Sequence, residues 1–243
     1  MLVGRVSLSF IIPAYNEELE LPATLAAVQR AILENGTPEH EIIVVDDGST
    51  DQTAPIARAA GARVVPISKR HIAASRNAGG HAARGDVLFF VDADTRIRPA
   101  HISGALDALQ SGYSGGSAQI EMEPDIPLWG HIFFRIFGTL YFANKLGAGA
   151  FLFTSRGNFE AVGGFDEQYF AGEEVYFTLA LKKLAPFKIL AEPMVTSGRK
   201  LRMYSARHVL SSLFSIVIRG PRAARSRKHL DLWYNGARED RST

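Results

Sequence analysis

The feature that most constrains this chain is a run of four short apolar segments separated by helical patterns. The segments are Leu8–Ile12, Glu41–Val45, Ala62–Ile67 and Val87–Val91, rich in Val, Ile and Phe. Apolar runs without polar alternation are what strands buried on both faces carry. Between them, 21–33 places Leu21, Leu25, Val28 and Ile32 on one helical face, and 53–60 and 73–83 are shorter Ala-rich patterns. This β-α-β-α order predicts an α/β fold with a mostly parallel central sheet and helices on both faces. Ligands of such sheets bind beyond the C-terminal strand ends.

Polar motifs fall at those ends. PAYNEE (13–18) follows the first strand, DDGSTD (46–51) the second and DADT (92–95) the fourth. Asp92 and Asp94 follow five apolar residues, and close carboxylates leaving a buried strand need a cation. A strand-end Asp-x-Asp suits a hard divalent ion shared with phosphate oxygens and water; taken alone it also suits a polar turn. Asp46 or Asp47 could accept a hydrogen bond from a nucleobase imide, while Gly48, Ser49 and Thr50 are explained by turn and cap chemistry. Tyr15 offers a flat face for a base. Glu17 and Glu18 suit a first helical turn. In SRNAGGHAARGD (75–86), Arg76 could reach a base or phosphate, and Gly79 and Gly80 suit either close ligand approach or tight helix packing.

The second half is less regular. Ser117–Met122 reads as a strand, 128–144 as an aromatic-rich helix, 157–166 as a Gly-rich turn region, 173–184 as a helix and 187–190 as a strand. Glu173 and Glu174 follow Gly172, where acids are favoured in a first turn and one could serve as a general base. Near the C-terminus, Leu210, Leu213, Phe214 and Val217 share one side of an amphipathic stretch, followed by a basic run, 219–228.

With 243 residues, one domain is the expectation. The absence of Cys excludes disulfides, thiolate–zinc sites and a cysteine nucleophile. No signal-peptide core is expected at the start. No window of about 18 uncharged apolar residues occurs; the nearest, 126–153, contains His131, Arg135 and Lys145. Asn35-Gly36-Thr37 reads as a surface turn. The net charge of +2 is uneven: from Thr196 onward 11 Lys or Arg face 3 Asp or Glu. Such a tail suits an anionic partner, whether phospholipid headgroups, nucleotide phosphates or nucleic acid, or else a solvated helix face.

Together, IIPAYNEE, VVDDGSTD, RNAGG with RGDVLFFVDADT, and GGFDEQYFAGEE resemble the family 2 glycosyltransferases of the GT-A fold, across roughly residues 8 to 184. The resemblance implies an inverting enzyme that takes one sugar from a UDP- or GDP-linked nucleotide-diphospho-sugar and uses Mn2+ or Mg2+. It implies that Pro13, Tyr15, Glu17, Asp47, Arg76 and Asp92 bind the donor, with Asp94 and Asp92 at the metal. The family base is the Asp of a Glu-Asp pair; Glu174 takes that place here, with Glu173 as the other candidate. The longer side chain moves the carboxylate by roughly one C–C bond, about 1.5 Å. The family's later metal-ligating His has no counterpart directly after the presumed last strand, where Arg199, Arg202 or His208 are the candidates. The QxxRW motif of processive synthases is absent. Within a single domain, 1–243, the resemblance gives a nucleotide-sugar-binding Rossmann-like half (1–115), an acceptor and catalytic half (116–195) and a basic amphipathic extension (196–243). The expected acceptor is a hydroxyl, lipid-linked in one version, and nucleic acid is not an expected partner. The expected location is the cytoplasm, with peripheral contact at the inner face of an anionic membrane.

Two rival readings share these residues. A strand ending in DxDxT also resembles haloacid dehalogenase-like phosphatases, with Asp92 as nucleophile, although the GDGxxD-like element then precedes it in the wrong order. The Glu-for-Asp change also suits a protein that binds a nucleotide sugar with weak or no transfer.

Overall fold

The computed structural model describes residues 6–37, 39–209, 211 and 224–225. The chain begins with β1 (Leu8–Ala14), α1 (Leu21–Asn35), β2 (His40–Asp47), α2 (Thr53–Ala59), β3 (Arg63–Ile67), α3 (Ile72–Ala82) and β4 (Val87–Val91), the alternation that the sequence predicts. It continues with β5 (Thr95–Arg96), α4 (Pro99–Gln110), β6 (Gly115–Met122), α5 (Leu128–Ala143), β7 (Phe151–Ser155), α6 (Arg156–Val162), α7 (Glu173–Leu184), β8 (Phe187–Thr196) and α8 (Arg199–Met203).

Among the described residues, eight strands form one sheet in the order β3-β2-β1-β4-β7-β6-β8-β5. Its first four strands are all parallel. β7 runs antiparallel to β4 and β6, β8 runs parallel to β6, and β5 closes the edge antiparallel to β8. The strand order reverses beside β1, with β2 on one flank and β4 on the other, which is the switch point where such sheets open a ligand crevice.

The period of two sorts the core. Phe10, Ile12, Val44 and Phe89 pack with Leu21, Leu25, Val28 and Ile32 of α1 and Ile102 of α4. Ile11, Ile43, Val45, Leu88 and Phe90 pack on the opposite face with Phe159 of α6 and Phe177 and Leu181 of α7. Helices therefore cover both faces. Gly36 ends α1 in the left-handed region at φ 69°, and Asn35 Nδ2 donates to Thr37 Oγ1 at 2.8 Å, so the Asn-Gly-Thr stretch is the surface turn expected.

Several boundaries differ from the sequence expectations. Pro13 does not end β1; it pairs with Val45 inside the ladder. The Gly-rich turn region contains α6, started by Ser155, whose side chain accepts from the Asn158 N–H. The strand at 187–190 continues to Thr196 as β8, with a register shift opposite Ala118 and Ile120 where Pro193 lies. A proline within a sheet sits readily at such an irregularity because it has no N–H to donate. α4, β5 and β7 had no sequence assignment. The amphipathic side of Leu210, Leu213, Phe214 and Val217 lies outside the described residues, as does the basic run apart from Ala224 and Arg225.

Of the two readings of Gly79 and Gly80, tight packing is what the structure shows. A Cβ on Gly79 would lie 2.2 Å from Ile11 Cγ2 and 2.9 Å from Val45 Cγ2, and one on Gly80 2.6 Å from the Phe159 ring. Gly79→Ala should destabilise the protein by about 1–3 kcal/mol through overpacking, read as a lower urea midpoint. An unchanged midpoint would show that α3 does not lie this close to β1.

Candidate active site

The C-terminal strand ends bring the acidic motifs to one edge, and two arginines organise them. Arg76, on α3, is among the largest fully buried side chains. Its Nη1 pairs with Glu173 Oε1 at the start of α7, and its Nη2 donates to Asp92 Oδ1 and to the Gly149 carbonyl, each at 2.9 Å. Burial works against its charge, but Asp92, Glu173 and Glu174 outweigh that penalty and hold it protonated. Arg199, the first residue of α8, forms a two-pronged pair with Glu17, 2.7 Å in each prong, and its Nη2 lies 3.5 Å from Asp94 Oδ2. Each acid of the Asp-x-Asp thus faces its own guanidinium, as the crowding of carboxylates demands. The loop carrying them is tied down by Thr24, whose hydroxyl donates to the Ala93 carbonyl at 2.6 Å, and by the Ser197 N–H to the Asp94 carbonyl at 3.1 Å.

The residues expected around the nucleoside divide into frame and surface. Asp47 is buried: Oδ1 accepts the N–H groups of Lys69 and Arg70, and Oδ2 the His71 N–H and the Ser75 hydroxyl. That carboxylate anchors the turn into α3 and holds Arg70 in the left-handed region at φ 51°. Asp46 accepts the Ser49 N–H at 3.1 Å. Tyr15 is half-buried, with the Arg70 guanidinium 3.2 Å above its ring centroid. Pro13 is buried within β1, and Glu17 is buried against Arg199.

On the opposite side of Arg76 lie Glu173, buried, and Glu174, half-buried. Burial, and then the negative charge of Glu173, push the Glu174 carboxyl up to about 8, against the pull of Arg76. Tyr141 of α5 lies near both glutamates: burial, then Glu174 and Glu173, raise its hydroxyl above its usual range, and it donates to the Gly147 carbonyl at 2.8 Å. Sequence reasoning missed Tyr141, because nothing distinguishes it within an aromatic-rich helix. Of the three candidates after the last strand, Arg199 is the one paired with the Asp-x-Asp; Arg202 pairs with Glu123 and Asp125, and His208 stacks on Tyr204.

Among the described residues no group of three or more His, Asp or Glu side chains converges as a ready metal cage. Asp92 and Asp94, with side chains 33% and 18% exposed, supply a pair of hard oxygen ligands at the crevice. That pair fits an ion such as Mg2+ or Mn2+, which is held by one or two carboxylates and completes its shell with phosphate oxygens and water.

Residues 9–156 match the family described as glycosyl transferase family 2. The chain belongs to that family. Among curated proteins, an undecaprenyl-phosphate 4-deoxy-4-formamido-L-arabinose transferase from Pseudomonas aeruginosa (strain LESB58) is 38% identical over 117 residues, 43% of this chain and 33% of its own. The chain therefore matches about a third of the length of that relative. Among solved structures, a mannosyltransferase from Pyrobaculum calidifontis in complex with GDP-Man and Mn2+ superposes with a TM-score of 0.65 at 19% identity, covering 89% of this chain and 65% of that one. S. aureus TarS 1-349 in complex with UDP-GlcNAc gives 0.63 at 18%, covering 88% and 67%. These likenesses establish the GT-A fold, and the family leaves the haloacid dehalogenase reading without support.

Glu174 is the base candidate expected from the sequence; a base must be ionised to act, and burial raises this carboxyl. The kcat/KM of this family 2 chain should climb with pH and level off above about 8. Glu173→Gln removes the negative neighbour, so the acidic limb should move to lower pH. A limb that stays fixed in that variant would show that another group titrates.

Proposed function

We propose that the chain transfers a single sugar from a UDP- or GDP-linked nucleotide-diphospho-sugar to an acceptor hydroxyl, with inversion. The observation that carries this reading is the junction at Arg76, which joins the Asp-x-Asp end of β4 to the glutamate pair of α7. In this reading the donor site and the base stand side by side. In this reading residues 1–115 hold the donor and 116–195 the acceptor, within one domain. Tyr15, stacked with the Arg70 guanidinium, would take the nucleobase into that stack, Pro13 and Asp47 hold the frame of the nucleoside pocket, and Arg76 fixes Asp92 toward the donor. Glu17 orients Arg199, whose guanidinium can face the diphosphate. Asp94 with Asp92 would hold Mn2+ or Mg2+, which when bound supplies positive charge to the departing diphosphate.

Glu174 accepts the proton of the acceptor hydroxyl. That oxygen attacks the anomeric carbon opposite the diphosphate, whose bond to the carbon breaks and takes the electron pair. Glu173 is committed to Arg76, which leaves Glu174 as the carboxylate for this step. The complexes with GDP-Man and UDP-GlcNAc in proteins of this fold favour such a donor.

Thermal-shift measurements with UDP-Glc, UDP-GlcNAc and GDP-Man, each with Mn2+, should select one donor by its stabilisation. Glu174→Gln should then slow transfer by roughly 10²–10⁴-fold while donor binding persists. Equal rates would remove Glu174 as base, and binding without transfer by the parent would make this a nucleotide-sugar-binding protein. The name of the undecaprenyl-phosphate relative favours a second version, a phosphate-bearing lipid acceptor. A lipid phosphate is already anionic and would tolerate Glu174→Gln.

A lipid-linked acceptor calls for contact with a membrane. Among the described residues no helix is long and apolar enough to cross one. α5 instead exposes Leu128 and Ile132, with exposed His131 and Arg135 one turn apart beside them. Apolar and cationic side chains on one exposed helix suit the surface of an anionic bilayer, and a cytoplasmic protein seated on the inner face is the arrangement proposed. Flotation with phosphatidylglycerol liposomes at low salt should recover the protein, and Leu128→Glu with Ile132→Glu should weaken recovery. No recovery of the parent protein would exclude this contact.

A further inference from the structure

The base proposed above sits at the end of a long connection between α6 and α7, residues 163–172. Two parts of the chain remote in sequence hold that connection. On one side is the start of α3: the His71 ring lies 4.4 Å from the Phe170 ring, and its Nε2 lies 3.0 Å from the Glu167 carbonyl. The Ala74 N–H points at His71 Nδ1, so Nε2 carries the proton and donates to Glu167. Asn77 adds two bonds, from Nδ2 to the Phe165 carbonyl at 2.8 Å and to Glu167 Oε1 at 2.9 Å.

On the other side is the C-terminal segment. The Phe170 N–H donates to the Ala224 carbonyl at 2.7 Å. Arg225 Nη2 donates to the Tyr169 hydroxyl at 2.9 Å, and its guanidinium lies 4.8 Å from the centroid of that ring. Tyr169 is buried and stacks on Tyr176, with centroids 3.7 Å apart and planes within 12°. Tyr176 is on α7, one turn after Glu173. Contacts therefore run from Arg225 through Tyr169 to the first turn of α7, where Glu173 and Glu174 stand. Gly172, at φ 74°, makes the left-handed turn into α7, and its carbonyl accepts the Val175 N–H at 3.0 Å, so the placement of Tyr169 is passed on to that first turn.

We infer that Arg225 is a positioning residue: by clamping Tyr169 against Tyr176 it fixes the connection that places the glutamate pair of α7. Arg225 need not touch substrate. The planar guanidinium both donates to the hydroxyl and covers the ring, a pairing that a lysine ammonium reproduces only in part. This inference rests on the reading of Glu174 as base, but its first test does not.

The first test is amide hydrogen exchange over 166–176 in the full chain, comparing the parent with Arg225→Ala, Arg225→Lys and Tyr169→Phe. Exchange should rise in Arg225→Ala, rise less in Arg225→Lys, and rise partly in Tyr169→Phe, which keeps the ring and loses the hydroxyl. The second test is transfer with whichever of UDP-Glc, UDP-GlcNAc or GDP-Man binds. Arg225→Ala should lower kcat by about 10- to 100-fold, the scale on which a misplacement of about 1 Å acts, with KM for the donor unchanged and Arg225→Lys recovering part of the loss. Exchange that does not change in Arg225→Ala overturns the clamp, and raised exchange with an unchanged kcat overturns the positioning role. Failure of the parent to transfer any sugar would defeat the catalytic reading instead, while the exchange result would still decide whether Arg225 holds the connection.

Discussion

The rest of the site depends on the burial of one guanidinium. Arg76 sits where β4 ends and α7 begins, and its charge is matched by Asp92 from one half and Glu173 from the other. A buried charge without partners is strongly unfavourable, and removing one member of such a set leaves the others uncompensated. The two halves of the fold are therefore coupled by charge balance as well as by packing. Neither the Asp-x-Asp end nor the glutamate pair can move far without stranding a charge, which gives the crevice fixed dimensions before any ligand arrives.

Arg199 repeats the arrangement at the mouth of the crevice. Its fork matches Glu17 in both prongs, the geometry that distinguishes arginine from lysine. At 3.5 Å from Asp94 it stands where the proposed donor would place its diphosphate. A protein cation held there lowers the repulsion that two unmatched carboxylates would present to an anionic donor. It would act alongside a dication bound by Asp92 and Asp94, with no need to replace one.

The parallel half of the fold was legible because its signals are local. Short apolar runs, helical spacing and polar strand ends all agree, and the structure follows them closely from β1 to β4. The second half was harder because its signals conflict. β7 is only five residues long and lies among small and turn-forming residues, Gly147 and Gly149 before it and Gly157 after it, α6 contains a glycine that reads as a breaker, and β8 runs through a proline by means of a register shift. At the site, the motifs were visible but the partners were not. Glu17 and Arg199 are 182 positions apart and Arg76 and Glu173 are 97 apart, separations at which spacing carries no information. Asp47 shows the opposite hazard: a motif acid that looks available for a ligand already accepts four hydrogen bonds from its own chain.

The two glutamates that open α7 obey the same charge logic. Both acids stand in the first turn of α7, beside Arg76. Glu173 turns inward and neutralises Arg76. Glu174 feels burial and the field of Glu173 more strongly than the arginine already matched by its neighbour, and its carboxyl rises. A raised carboxyl binds a proton more tightly and is a stronger base once ionised, which would suit the role proposed for it toward an acceptor hydroxyl. The extra methylene lengthens the reach by about 1.5 Å. A carboxylate on a longer arm is placed well only if the backbone beneath it is fixed; with Glu174 as the proposed base, that requirement would make the contacts around residues 163–172 part of the chemistry as well as of the packing.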